Sequence, residues 1–472
     1  MAPERLVVVG GDAAGMSAAS QARRRRGPDD LEIVAFDRGN YTSYSACGIP
    51  YFVGDVVPSA ERLIARDPET FRAKFAIDAR VRHDVEEIDL DRRAVRVRDI
   101  DAGTSAWEPF DTLMVGTGAV PLRPRLAGAD AKGIYGVQTL DDGLAVRAAL
   151  NGSARRVVVV GAGYIGIEMA EAMKLRGLDV TVVARGAQPM STLDDDMGEL
   201  LREAMSGLGI DVHTGCAVTG FDVGADGQVR AVETEHGEFA ADLVVLGLGV
   251  RPNSDLAAAA GLTVGVTGGV VTDLRMRTSA EGVWAAGDCV ETYHLVARKP
   301  VAIALGTHAN KQGRVAGINI GGGYATFPGV VGTAVSKVCD LEIARTGLKE
   351  AEATAAGFRF VTVKVESTTR AGYYPGAAPI TTKIIAERRS GRLLGAQIVG
   401  REGAAKRIDA LATALWNDMT VDAMLNMDLS YAPPFAPVWD PVLIASRKAW
   451  EAVEADVVRD PAGGYAGSSP RS

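Results

Sequence analysis

Cysteine is scarce in this chain of 472 residues, which has only Cys47, Cys216, Cys289 and Cys339. They show no close pairing, no secreted disulfide framework and no metal-ligand spacing, so no metal site is expected. Histidine is almost as rare, with His83, His213, His236, His294 and His308. No run of 18 apolar residues is present, which excludes a conventional membrane-spanning helix. Positive charge is in deficit, with a formal net charge of -8 at pH 7, and this argues against a nucleic-acid partner. The opening MAPERLVVVGG reads as a short apolar strand rather than a secretory leader. Together these absences point to a reducing cytosol and to no membrane partner.

What is present can fold. Hydrophobic residues make up 47% and charged residues 23%, enough to bury sizeable cores. At about 150 residues per domain the length predicts roughly three domains. One basic run stands out, Arg23-Arg24-Arg25-Arg26. It is either the solvated end of a helix or a place for an anionic substrate.

The first unit begins at once. Leu6 to Val9 fits a buried parallel strand, Gly10-Gly11-Asp12-Ala13-Ala14-Gly15 a tight turn, and Met16 to Arg26 a helix. Leu31 to Phe36 is the next strand and ends at Asp37. The pattern returns as the strand Arg156 to Val160, the turn Gly161-Ala162-Gly163-Tyr164-Ile165-Gly166, the helix Ile167 to Arg176 and the strand Asp179 to Val183. Such turns let backbone N–H groups and a helix N-terminus approach a pyrophosphate. Two of them predict two nucleotide ligands. Asp12 stands where the fingerprint has its middle glycine, so the phosphate geometry there departs from the pattern. Asp37 is placed either to bind a ribose hydroxyl or to cap a solvated turn. The second unit closes on Val182-Val183-Ala184-Arg185, without a carboxylate for a ribose diol. Arg185 is either a surface residue, leaving NADH open, or the partner of the 2′-phosphate of NADPH.

From about Phe327 the pattern changes. Phe358 to Val365 and Thr381 to Ala386 read as antiparallel strands, and Ala404 to Asn417 and Val421 to Asn426 as helices. Arg459 to Ser472 is rich in Gly, Ser and Pro and reads as a disordered tail. The fold class is α/β, with two Rossmann-like dinucleotide-binding domains and a C-terminal α+β domain. The expected bounds are 1–150 with 251–326 for the first domain, 151–250 for the second, 327–452 for the third and 453–472 for the tail.

Further segments carry a family resemblance. Thr117-Gly118-Ala119, Gly247-Leu248-Gly249-Val250-Arg251-Pro252-Asn253 and Trp284-Ala285-Ala286-Gly287-Asp288 follow the two turns in order. Together they resemble the flavoprotein pyridine nucleotide-disulfide oxidoreductase family over about residues 4 to 450. The resemblance implies FAD and NAD(P)H as cofactors. It implies FAD contacts from Gly10, Ala13, Ala14, Gly15, Asp37, Arg38, Ser43, Val81, Thr117, Gly118, Gly287, Asp288 and Ala304. For the nicotinamide nucleotide it implies Gly161, Gly163, Tyr164, Ile165, Gly166, Glu168, Arg185 and Gly249.

The segment Ser43-Tyr44-Ser45-Ala46-Cys47-Gly48-Ile49-Pro50-Tyr51 has one cysteine where glutathione-reductase-like relatives have two. Thr42 and Phe52 stand five residues to either side. A lone sulfur beside a flavin either forms a mixed disulfide with a small thiol or cycles through sulfenic acid. The C-terminal histidine of those relatives is also missing. Tyr431, Tyr373 and Tyr374 are candidates to assist a leaving thiolate, or else pack at a subunit interface. The combination resembles the single-cysteine branch, most of all the coenzyme A–disulfide reductases. That branch also contains NAD(P)H oxidases, NADH peroxidases and coenzyme A persulfide reductases. It implies a homodimer whose site is completed across the interface, with Ser17, Gln21, Arg24, Ser43 and Asn310 contacting coenzyme A. It further implies that a helix N-terminus and the flavin lower the Cys47 pKa. Cys216, Cys289 and Cys339 read as small core residues.

Overall fold

A computed structural model describes residues 2–152 and 154–459. Three five-stranded sheets organise the chain. The first is parallel, in the order 283–285, 112–115, 4–9, 31–36 and 77–80. Its central strands are continuous apolar runs because both faces are covered, and Leu6, Val7 and Val8 are fully buried. Two helices, Ala13–Arg23 and Gly306–Ile320, lie side by side on one face. Gly313 and Gly317 allow this, since a Cβ at either would strike the carbonyl of Ala14 or Ala18.

The second sheet is also parallel, in the order 211–213, 179–183, 156–160, 243–246 and 134–136. The edge strand Ile134–Gly136 joins it from ahead of the expected boundary at 151, because Val244 to Leu246 leave an open edge that it pairs in register. The third sheet is antiparallel, in the order 334–338, 341–347, 393–400, 379–387 and 360–368. The helices Ile408–Trp416 and Pro441–Arg459 pack on it, and Val442, Ala445, Ala449 and Val453 enter the core. Helix therefore continues through 453–459, a stretch expected in the tail. Its apolar stripe at Val442, Ala445, Ala449 and Val453 has helical spacing and is what holds it. Residues 460–472 lie outside the described residues.

The strands expected at 31–36, 156–160 and 179–183 form with those bounds. Both phosphate-turn helices begin three residues earlier than read, at Ala13 and Tyr164, because the last residues of each turn already have helical geometry. Among the described residues no helix is long and apolar enough to cross a membrane.

Candidate active site

The first turn is a close-packed cradle. Gly10 has φ +105°, and a Cβ there would collide with the carbonyl of Gly116, while one at Gly15 would collide with that of Gly10. Ala13, Ala14 and Gly15 form the first turn of the helix behind it, and Gly287 abuts the Ala14 methyl. Asp37 accepts from the N–H of Gly11 and of Gly39, both at 2.7 Å. Burial raises its pKa. Arg38 beside it is exposed. The Val81 carbonyl lies 2.7 Å from His83 Nδ1. Thr117 donates to the carbonyl of Asn253 at 2.6 Å, and Asn253 returns a bond to Thr117, closing the two crossing segments. Gly118 has φ +70° and faces open space. Ala304 is exposed just ahead of the 306–320 helix.

Asp12 explains what its departure from glycine does locally. It makes no capping bond to its own helix. Its Oδ1 instead accepts from the N–H of Tyr44 at 3.2 Å, while Ser43 N–H donates to Gly11 O at 3.0 Å. Two bonds thus fasten the phosphate turn to the segment leading to Cys47, and Ser43 takes the left-handed φ of 46° to reach. Burial raises the Asp12 pKa to about 7, helped by the charges of Asp37 and Asp288. A pKa above the unfolded value means that this carboxyl's contribution is whole below about pH 4 and is lost as the pH rises to about 7. Asp12→Asn, which cannot ionise, should therefore stabilise the flavin-free protein at pH 8 by about 2 kcal/mol, discounting for water in the cradle. The gain should shrink towards pH 4 in urea titrations.

The second turn repeats the geometry. Gly161 has φ +103°, and Cβ atoms at Gly161 and Gly166 would strike the carbonyls of Gly247 and Gly161. Gly163 precedes the helix Tyr164–Leu175 and faces open space, and Gly249 at φ +89° faces open space too. Ile165 lies in the first helical turn. Tyr164 receives a bond from Thr192 at 3.5 Å. Glu168 accepts from Ser336 of the third sheet at 2.8 Å, and burial raises its pKa. Arg185 is exposed just past its strand and has no ion-pair partner among the described residues.

Cys47 sits between the cradles. It lies in the single turn Ala46–Gly48 that leads into the short helix Ile49–Val53. Solvent reaches the residue, yet the surrounding walls desolvate its sulfur. Burial raises the thiol pKa, and Glu168, Asp288 and Asp12 push in the same direction. In the flavin-free protein the shift is therefore upward, chiefly because burial penalises the thiolate. The segment before Cys47 is bonded to the first turn through Ser43 and Tyr44, and Gly54 at the end of the helix after it packs on Ala172 of the 164–175 helix. Of the other cysteines, Cys216 and Cys289 are buried core residues and Cys339 is part-exposed in a turn.

The flavin cradle is chemically suited to FAD. Asp288 Oδ1 is buried without a hydrogen-bond partner among the described residues, and burial pushes this carboxyl up to about 6. A hydroxyl-rich chain passing over it would supply the missing donor.

The chain matches the model of the pyridine nucleotide-disulphide oxidoreductase over residues 4–313 and that of its dimerisation domain over 333–441. It belongs to this family. It is thus an FAD- and NAD(P)H-dependent oxidoreductase. It is 39% identical over 446 residues to an NAD(P)H sulfur oxidoreductase (CoA-dependent) of Pyrococcus abyssi, covering 94% of this chain and 97% of the relative. It is 28% identical to a coenzyme A disulfide reductase of Staphylococcus epidermidis, covering 94% and 99%. Among solved structures, an NAD-dependent persulfide reductase from A. fulgidus superposes with TM-score 0.93 at 39% identity, covering 96% of this chain and 84% of that one. An engineered water-forming NADPH oxidase bound to NADPH superposes with TM-score 0.91 at 27% identity, covering 96% and 100%. Its substitutions include an aspartate to alanine and, next to it, an alanine to arginine.

In this oxidoreductase the coenzyme A candidates fall into two groups. Ser17 donates to Asn310 Oδ1 at 2.8 Å, joining the two packed helices. Gln21 and Arg24 follow on the same helix face, 3.2 Å apart. The basic run divides as well. Arg23 is spent on the carbonyls of Phe75 and Ala76, and Arg26 on Glu4 and Asp30, so only Arg24 and Arg25 are exposed. The Tyr373 phenol raises the Tyr431 pKa. Tyr374 is on the same loop. Among the described residues no hydrogen bond links these tyrosines to the Cys47 segment. Arg407, missed in the sequence, ties both tyrosine loops by donating to Thr369 O, Phe435 O and Asp440.

Proposed function

We propose that this enzyme uses NADPH to reduce coenzyme A disulfide, or a related small disulfide, through a mixed disulfide on Cys47. The observation that carries this reading is an exposed sulfur on a segment bonded to the first turn and packed on the helix of the second. When bound, FAD relays two electrons from the nicotinamide to that sulfur. The Cys47 thiolate attacks the disulfide, forms a bond to one sulfur and expels one coenzyme A thiolate. Two electrons then cleave the mixed disulfide, restoring the Cys47 thiolate and releasing the second coenzyme A thiolate. Ser17, Gln21, Arg24, Ser43 and Asn310 hold the coenzyme, with the Arg24 guanidinium at its phosphates.

The enzyme works as a homodimer in this reading. Tyr373, Tyr374, Tyr431, Phe435, Val438 and Trp439 are large and exposed in one chain, as an unpartnered interface would be. Tyr431 of one subunit then donates a proton to the thiolate leaving Cys47 of the other.

The dipeptide Ala184-Arg185 after the strand supports NADPH as donor, since the engineered NADPH oxidase gained an alanine and an arginine side by side. Arg185→Ala should raise the KM for NADPH about tenfold and leave that for NADH within about twofold. Equal effects on both would remove this role.

A second reading has a specific basis. The relatives named for sulfur or persulfide share 39% identity, against 28% for the coenzyme A disulfide reductase. On that reading NADPH and a proton convert a coenzyme A persulfide to coenzyme A and hydrogen sulfide at the same sulfur. Anaerobic NADPH oxidation with each substrate separates them. The higher kcat/KM identifies the substrate, and no response to either, with rapid NADPH loss in air, would move the enzyme to the oxidases.

A further inference from the structure

The short helix Ile49–Val53 that follows Cys47 has an unusual tether at its far end. A helix of five residues cannot satisfy its own carbonyls. Arg147, from the helix Leu140–Leu150, donates to Phe52 O at 3.4 Å and stacks over the Phe52 ring at 4.4 Å. Arg176 donates to Val53 O at 3.2 Å. Asp55 joins the two guanidiniums, at 2.8 Å from Arg147 and 2.7 Å from Arg176, and takes a left-handed φ of 60° to do so. The second guanidinium nitrogen of Arg176 is fixed by Asn151 at 2.9 Å.

Two glycines pack closely around the same helix. A Cβ at Gly54 would come within 3.0 Å of the Ala172 Cα, and one at Gly143 within 2.7 Å of Ile49. The Ile49–Val53 helix is therefore packed closely between the 140–150 and 164–175 helices. Arg176 is the C-cap of the 164–175 helix, whose N-terminus is the nicotinamide-nucleotide turn. Twelve residues make a rod of about 18 Å. One end meets the dinucleotide, and the other grips the Cys47 helix.

We propose that Asp55, Arg147 and Arg176 are positioning residues that fix the Cys47 sulfur relative to the nicotinamide-nucleotide helix. None of them touches a reacting atom. They act by locking the helix that carries the sulfur, so their loss costs the step at sulfur and spares the hydride step. The inference rests on Cys47 being the redox sulfur.

The test uses full-length, flavin-loaded Asp55→Asn, which keeps the shape and removes the charge joining the arginines. Arg176→Lys serves as the second variant, because a lysine cannot serve Val53 O, Asp55 and Asn151 together. In anaerobic stopped flow, NADPH should reduce the bound flavin within about twofold of wild type. Coenzyme A disulfide should react with the two-electron-reduced protein about tenfold more slowly. The pH midpoint of Cys47 alkylation by iodoacetamide should also move, a readout that a loss of stability alone would leave in place. Wild-type disulfide rates and an unmoved alkylation profile would overturn the proposal, as would equal slowing of both half-reactions. The alkylation profile decides the positioning role even if Cys47→Ser retains disulfide turnover, an outcome that would sink the functional reading instead.

Discussion

Cys47→Ser should retain flavin reduction by NADPH and lose disulfide-dependent turnover by about a thousandfold or more. The two halves separate because the serine hydroxyl occupies nearly the same space as the thiol. Both phosphate cradles are built from glycines and carboxyls that the substitution does not touch. What disappears is the only atom there that can form a bond to sulfur and be released by two electrons. Anaerobic stopped flow reads both halves in one experiment, from NADPH absorbance and the flavin band. Disulfide turnover at the wild-type rate in the serine variant would show that electrons leave the flavin without Cys47. The thiol itself should react poorly in the flavin-free protein at neutral pH, since burial and the carboxyls Glu168 and Asp288 hold its pKa up. Activation must then come from what binds.

The phosphate turns were legible because glycine spacing is largely a steric requirement, and at Gly10, Gly15, Gly161 and Gly166 a side chain would meet a carbonyl. Buried parallel strands were legible for a related reason, as apolar runs such as Val157 to Val160 have few other places to go. Asp12 was visible as a departure, but its partner was not. Its bond to Tyr44 joins residues 32 apart in sequence, and no local pattern encodes that distance. The tether at Asp55 was invisible for the same reason, because Arg147 and Arg176 belong to helices that only the fold brings to residue 55. The 441–459 helix escaped notice because its start, among Pro434, Pro437 and Pro441, reads as a loop. Glu168 was read as a nucleotide contact from its place after the second turn. Its bond to Ser336 shows that it faces the third sheet, a tertiary fact.

Removing the positive charge at Lys383 should cost about 3 kcal/mol of stability. Lys383 lies almost wholly buried between the second and third sheets, with Asp196 at 2.7 Å, Glu350 at 2.8 Å and Asp194 at 3.1 Å. Asp194 is itself buried and exchanges two bonds with Gln397, while Glu350 N–H donates to it at 3.0 Å. Lys383→Met would fill the space and leave these carboxyls facing one another without a cation. The figure is at the low end for a broken buried pair because water reaches Asp196 and Glu350. The pH dependence follows from the shifts. Burial opposes the charge on Lys383, but the carboxyls outweigh it and raise its pKa, so its contribution is present below its ordinary range and is lost only as pH rises beyond it. Burial likewise opposes the charge on Asp196, yet Lys383 and Lys364 hold its pKa below the ordinary value. Its contribution is present above about pH 4 and is lost as the pH falls through the lowered value. Wild type should therefore hold this lock across the neutral range, and Lys383→Met should lose it there. Urea midpoints at pH 7 would test the size. The same segment reaches the nucleotide site, since Arg345 donates to Thr192 O at 2.7 Å and Thr192 contacts Tyr164 at the second turn. A variant that unfolds at lower urea should thus also bind NADPH less tightly, measured by titration well below its unfolding midpoint. Full stability in Lys383→Met would mean that Asp194 or Glu350 takes up a proton instead, and the urea midpoint would then fall as the pH is raised from 5 to 8.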